Sequence, residues 1–252
     1  MNKEPALAHL LSEIDGLKNQ LNQYRHLAGD KVTKAFELEY TYESNRIEGN
    51  TLTLQETALV VERGLTIGGK SMQEHLEAIN HTFALDYIKD IVTNTVPFSE
   101  SVLLSIHKLI LQGIDNRHAG VYRNVQVLIS GAKHIPPQPY MIQKEMEDFF
   151  LWYHANKNNI HPIVLAAEMH ERLVTIHPFI DGNGRTSRLL MNLVLLQHGY
   201  PIAILKGDAQ SRSRYYEALE QAQVTGTKQH FLKLVAQYVK ESILQILNVL
   251  GK

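Results

Sequence analysis

Hydrophobic positions recur at helical spacing along most of this 252-residue chain. Leu7, Leu10, Ile14, Leu17, Leu21 and Tyr24 alternate steps of three and four, which predicts an amphipathic helix. Its stripe spans about three heptads with Gly16 inside, so a short coiled coil with a second chain and docking on its own domain both stay open. A second helical pattern runs from about Val32 to Ile47 and stops at Glu48-Gly49-Asn50. Thr53 with Glu56 and Ser71 with Glu74 have the spacing of capping boxes, the first before a helix ending near Gly64, the second before MQEHLEAINHTFALDYIKDI. Ser99 can cap a helix through about Leu111, and helical periodicity returns over residues 142 to 155. Pro162 is placed as the first residue of IVLAAEMHERLVTI. That segment and LLMNLVLLQHG after Arg188 are apolar on nearly every face, as central helices are. A last stripe carries Phe231, Leu234, Val235, Tyr238, Ile243, Ile246 and Leu247.

One segment breaks the pattern. GVYRNVQVLISGAKHIPPQP holds a β-branched run around Val125 to Ile129, a Ser130-Gly131 turn and Pro136-Pro137, which together predict a short hairpin. The expected fold is therefore all-α with one small β-hairpin.

Composition narrows the chemistry. A hydrophobic content of 44% is ample for a core, and 25 Lys plus Arg nearly balance 26 Asp plus Glu. With no global field to draw nucleic acid or anionic membranes, neither is an expected partner, and any anion site must be local. The absence of cysteine excludes disulfides and thiolate metal sites. No apolar signal core opens the sequence and no window approaches the ~20 apolar residues of a membrane span. The expectation is a soluble cytoplasmic protein.

Gly64 to Ser71, GLTIGGKS, matches the phosphate-binding pattern GxxxxGK[ST]. That loop needs a buried β-strand feeding it, so that its amides converge on phosphate. LQETALVVER reads instead as a capped amphipathic helix, so the match is read as a helix stop, a turn and a new cap at Ser71.

Residues 177 to 188, HPFIDGNGRTSR, lie between the two central helices and concentrate reactive groups. Gly182, Asn183 and Gly184 can bend the backbone where the next helix begins, and the free N–H groups of its first turn form an anion pocket. Arg185 and Arg188 are neighbours on that turn. Cations there oppose the helix dipole, so their placement calls for an anionic partner such as two or more phosphates. Asp181 is a hard oxygen ligand suited to Mg²⁺ between protein and phosphates. His177 can accept a proton near neutral pH. Together these groups describe attack by a hydroxyl on a nucleotide phosphate.

The stretch resembles the signature of the Fic family, HxFx[DE]GNGRxxR, without a mismatch, and the resemblance extends from about Glu37 to the final helices. It implies a largely helical protein adenylyltransferase that moves AMP from ATP to a Ser, Thr or Tyr hydroxyl of a target protein. By position, His177 would be the general base, Asp181 the Mg²⁺ ligand, and Asn183 with the neighbouring amides the holder of the α-phosphate. Arg185 and Arg188 would meet the outer phosphates, with Gly182, Gly184, Thr186 and Ser187 completing the nucleotide site. Glycine at 184, rather than lysine, favours AMP transfer over transfer of a terminal phosphate. The GVYR…HIPP segment resembles the family's flap: Ile129, Ser130, Gly131 and His134 would face the nucleotide, and Val127 to His134 would align the target by strand addition. Tyr215-Tyr216 resembles the adenine-side segment, although Gln223 stands where the family often has asparagine.

Ser44 to Asn50, SNRIEGN, resembles the family's inhibitory motif [ST]xxxE[GN]. Glu48, at a helix end whose dipole it opposes, gains by finding a cation, and Arg188 suits it. The organisation implied is an N-terminal arm over residues 1–35, an inhibitory helix and connector over 36–70, and a catalytic domain over 71–252, packed as one unit with the preceding helices. Ser44, Glu48 and Gly49 would form the brake. A homodimer through the N-terminal stripe, removal of AMP by the same groups, and a non-catalytic ATP-sensing module remain alternatives.

Overall fold

In the computed structural model, which describes residues 4–252, ten α-helices follow one another along the chain. They are α1 (Glu4–Tyr24), α2 (Asp30–Ile47), α3 (Leu54–Arg63), α4 (Met72–Thr93), α5 (Glu100–Leu111), α6 (Ile142–Asn156), α7 (Pro162–Ile176), α8 (Asn183–Gln197), α9 (Ala209–Thr225) and α10 (Gln229–Val249). The fold is all-α. Both capping boxes form, with each cap hydroxyl accepting from the third amide and each glutamate reaching back to the cap. Ser99 precedes α5 without a capping bond, because its hydroxyl pairs with Ser101 at 2.9 Å instead.

The GLTIGGKS segment runs from the C-cap of α3 at Gly64 to the N-cap of α4 at Ser71, with a helix rather than a strand before it. The phosphate-loop match therefore lacks the strand its geometry requires.

Helices α7 and α8 pack against one another at the centre, with α4 and α5 on one side of α8 and α10 against α7. Leu189, Leu190, Met191, Leu193, Val194 and Leu195 of α8 are all fully buried, as the all-round apolar pattern requires. α1 lies along α10, with Ile14 and Leu21 buried and Leu7, Leu10, Leu17 and Tyr24 against the same core. The N-terminal stripe is thus covered by its own chain. No helix among the described residues is long and apolar enough to cross a membrane.

The expected hairpin is present only as a turn. Ala132 donates to Ile129 O at 3.2 Å around Gly131, whose φ is +77°, but the flanking arms form no ladder among the described residues. Pro136 and Pro137 offer no N–H to a partner strand. Side chains bridge the arms instead: the buried Arg123 donates to Val125 O at 2.9 Å and Pro137 O at 2.6 Å, and Gln126 to Pro136 O at 3.1 Å.

Several buried histidines tie the helices together. His81 meets Thr41 at 3.0 Å, and His170 meets Tyr215 at 3.1 Å. Burial pushes both imidazoles down to about 3, well below their ordinary 6.5, and the charge on Arg188 adds to the effect. Below the ordinary value the unfolded chain binds protons that the folded chain excludes, so stability is complete above about pH 6.5 and declines as pH falls. The melting temperature should drop by at least about 5 °C between about pH 7.5 and about pH 5, followed by circular dichroism. An unchanged value would contradict the neutral, buried state of these rings.

Candidate active site

The loop between α7 and α8 is shaped by its own side chains. Asn183, buried at the start of α8, donates to Phe179 O at 2.9 Å and accepts from Phe179 N at 3.0 Å, closing the loop on itself. His107 of α5 stacks on Phe179 with ring centroids 3.6 Å apart. Gly120 N donates to its Nδ1 at 2.9 Å, so the proton sits on Nε2 and is donated to Asp181 O at 2.9 Å. Gly182 turns the chain at φ +76°, a left-handed conformation that suits glycine, and Thr186 N donates back to Gly182 O at 2.9 Å to start the helix. The first-turn amides of α8 are left for an outside acceptor.

His177 caps α7 in a left-handed conformation, φ +51°, that is uncommon for a side chain larger than glycine. Arg123 holds the geometry by donating to His177 O at 2.8 Å, while its own amide donates to Pro178 O at 2.9 Å. The His177 Nδ1 lies 3.3 Å from Val174 O, a long contact that favours the proton on Nδ1 and leaves Nε2 as the acceptor. Burial pushes the imidazole down to about 4; Arg123 and His134 add to this, against the Val174 hydrogen bond and Glu48. The ring is neutral at physiological pH.

Arg188, 1% exposed, reaches from α8 to the end of α2. Its Nε donates to Ser44 Oγ at 3.0 Å, and its Nη2 to Ser44 O at 2.9 Å and Glu48 Oε1 at 2.7 Å. Nη1 faces Tyr215 Oη at 3.5 Å. Burial alone would lower the guanidinium pKa, but Glu48 and the surrounding oxygens outweigh it and hold the charge firmly in place. Glu48 is the C-cap of α2, and Gly49, at φ +99°, turns the chain away. The Glu48 carboxylate sits directly over Gly184: a Cβ there would stand 2.2 Å from Glu48 Oε1.

A cleft of about 540 Å³ opens beside these groups, within the range of small-molecule sites. The expected base His177 and the expected brake Glu48 line it, together with Ile129, Ser130, Gly131, Gly184, Tyr215 and Tyr216 of the residues expected at a nucleotide. Gln223, Arg212 and Ser213 line it too, the last two carrying no motif in the sequence. Asp181, Gly182, Asn183, Arg185, Thr186, Ser187, Arg188 and His134 do not. Thr186 and Ser187 are fully buried, and their hydroxyls lack hydrogen-bond partners among the described residues. Arg185 is buried between Glu77 and Asp181, each 3.3 Å away. His134 docks the flap on α7, meeting Thr175 O at 2.8 Å. Tyr215 is buried behind Arg188, while Tyr216 is partly exposed and donates to Ile47 O at 3.3 Å.

Asp181 projects from the loop with its side chain 57% exposed and no protein cage around it. No group of three or more metal-binding side chains occurs among the described residues. An exposed carboxylate held by Gly182 N at 2.6 Å and Arg185 at 3.3 Å, with no second carboxylate or imidazole grouped around it among the described residues, fits an ion shared with a polyphosphate better than one enclosed by protein.

An all-α fold with HPFIDGNGR at the junction of two central helices defines a class of proteins. A model of the Fic/DOC family matches residues 97–195. Fic-1 from C. elegans has a solved structure that superposes with a TM-score of 0.88 at 30% identity, covering 98% of this chain and 74% of that one. The chain belongs to the Fic family. A Fic domain containing signaling protein from Bacteroides thetaiotaomicron superposes with a TM-score of 0.82 at 28% identity, over 93% of this chain and 95% of that one. The curated relatives include a "Protein adenylyltransferase Fic" of Nematostella vectensis, 39% identical over 93% of this chain and 55% of its own length. Another of the same name, from Drosophila melanogaster, is 34% identical over 92% of this chain and 47% of its own. The chain thus spans about half the length of the curated relatives it matches.

The Gly184–Glu48 contact yields a thermodynamic test. Gly184→Ala should destabilise the wild type more than it destabilises a Glu48→Gly variant, with a coupling of at least about 1 kcal/mol in a double-mutant cycle. Equal costs in both backgrounds would mean that Glu48 does not rest on Gly184 in solution.

Proposed function

We propose that this chain is an autoinhibited protein adenylyltransferase, transferring AMP from ATP to a Ser, Thr or Tyr hydroxyl of a target protein. The observation that carries this reading is the placement of a neutral imidazole and a cation-bound glutamate on one cleft at the amino end of α8. His177 Nε2 takes the proton from the target hydroxyl as its oxygen attacks the α-phosphorus. The new P–O bond forms as the bond to the outer phosphates breaks, and pyrophosphate leaves. The first-turn amides of α8 and its dipole stabilise the negative charge on the α-phosphate. Asp181 would hold Mg²⁺, which when bound neutralises phosphate charge. The flap around Val127 to His134, whose arms form no ladder among the described residues and whose Leu128 is 79% exposed, offers main-chain groups to an extended segment of the target.

The brake is electrostatic. Glu48 takes Arg188, the cation that would otherwise meet the γ-phosphate, and its carboxylate stands over Gly184 where the polyphosphate would lie. ATP can then enter only in a pose that leaves its α-phosphorus out of line with His177.

With α-labelled ATP and a lysate as acceptor, Glu48→Gly should raise protein labelling at least about tenfold over wild type. Adding His177→Ala should lower it at least about 100-fold. Equal labelling by wild type and Glu48→Gly would remove the brake from the account. Because His177 must be neutral to act and its folded value is pushed down to about 4, activity should be lost only as pH falls toward that value, not near the ordinary 6.5. A kcat/KM profile of the Glu48→Gly variant with its acid limb near the ordinary value would contradict the buried base.

A further inference from the structure

Arg185 is 3% exposed, yet its Nε and Nη1 have no hydrogen-bond acceptor among the described residues. Buried guanidinium donors are ordinarily satisfied, so a pair left without acceptors calls for an explanation. The charge itself is compensated: Glu77 Oε1 lies 3.3 Å from Nη1 and Asp181 Oδ2 lies 3.3 Å from Nη2.

Glu77 stays in a charge contact because other donors claim its oxygens. Asn50 Nδ2 donates to Oε2 at 2.9 Å, and Gln73 Nε2 donates to Oε1 at 3.1 Å. Asn50 is itself fixed, donating to Glu74 O at 3.0 Å and accepting from Leu52 N at 3.0 Å. Nη2 donates to Asp181, but the arrangement neutralises Arg185 without consuming the N–H groups of Nε and Nη1.

We propose that Glu77, held by Asn50 and Gln73, is the positioning residue that keeps these N–H groups of Arg185 available for the outer phosphates of ATP. The inference rests on the adenylyltransferase reading and extends it to residues outside the signature. Without the Glu77 charge, Asp181, already bonded to Nη2, is the one anion left beside the buried guanidinium among the described residues, and the guanidinium shifts further toward it. Arg185 is then lost to the nucleotide. Loosening Asn50 or Gln73 has the same outcome by another route, because Glu77 can swing in and satisfy Arg185 itself.

The test measures binding rather than turnover. In a Glu48→Gly/His177→Ala parent, which cannot consume ATP, dissociation constants for ATP and AMP are measured by calorimetry in magnesium buffer. Glu77→Gln should raise the ATP constant about tenfold or more while AMP, which lacks the outer phosphates, stays within about twofold. Gln73→Ala, at an exposed position that leaves the core untouched, should shift ATP in the same direction by a smaller factor. A purely structural role for Glu77 would weaken ATP and AMP alike, and that result, or unchanged ATP binding, would overturn the inference. A parent that binds neither nucleotide would instead overturn the reading of the site, and the inference with it.

Discussion

A guanidinium charge buried beneath the amino end of α8 is the constraint on which this molecule is organised. Arg188 is fully enclosed, and enclosing an uncompensated charge costs several kcal/mol. The end of α2 supplies what it needs: the Ser44 hydroxyl and carbonyl, and the Glu48 carboxylate. α2 is therefore bound to α8 by electrostatics as well as by packing. Two consequences follow from one contact. The fold gains an ion pair, enclosed on the Arg188 side and open to the cleft on the Glu48 side, that joins residues 140 positions apart, and the proposed phosphate site receives an internal competitor of the same charge as its ligand.

The surroundings of Arg188 permit that competition because they are small or neutral. Gly184 leaves room for the Glu48 carboxylate that any larger residue would displace. Asn183 uses its amide on the loop rather than on the cleft, and His107 fixes the Asp181 carbonyl, so the loop is preorganised before any ligand arrives. His177 is held by Arg123 from the flap side and remains neutral through burial. The rigid parts of the proposed mechanism are thus supplied by side chains outside the reacting set.

Local features were the most legible in the sequence. The capping boxes at Thr53 and Ser71, the stop at Gly64, Pro162 opening α7, and the all-round apolar character of α7 and α8 depend on neighbours within a few residues. The flap was less so: its β-branched run suggested strands, but two prolines and the reach of Arg123 from outside the run replaced the ladder with side-chain bridges. Of the candidate site, the signature residues could be named from their spacing, yet their division of labour could not. Thr186 and Ser187 are enclosed in the packing around α8, and His134 turns to α7, because tertiary packing and flap docking decide what each side chain meets. The supporting roles of Arg123, His107, Glu77 and Asn50 have no local signature. Their partners lie 54, 74, 108 and 27 positions away, and no periodicity signals a contact made by folding.

The central claim is that a polyphosphate settles at the amino end of α8 once Glu48 leaves, with its α-phosphorus facing the imidazole of His177. A crystal structure of the Glu48→Gly variant with ATP and magnesium tests it most directly. The account predicts phosphates on the first-turn amides, Arg188 turned to the γ-phosphate, and Nε2 of His177 facing the α-phosphorus with room for one hydroxyl between them. Nucleotide bound elsewhere, or Arg188 still paired to Ser44 with His177 turned from the phosphates, would contradict it.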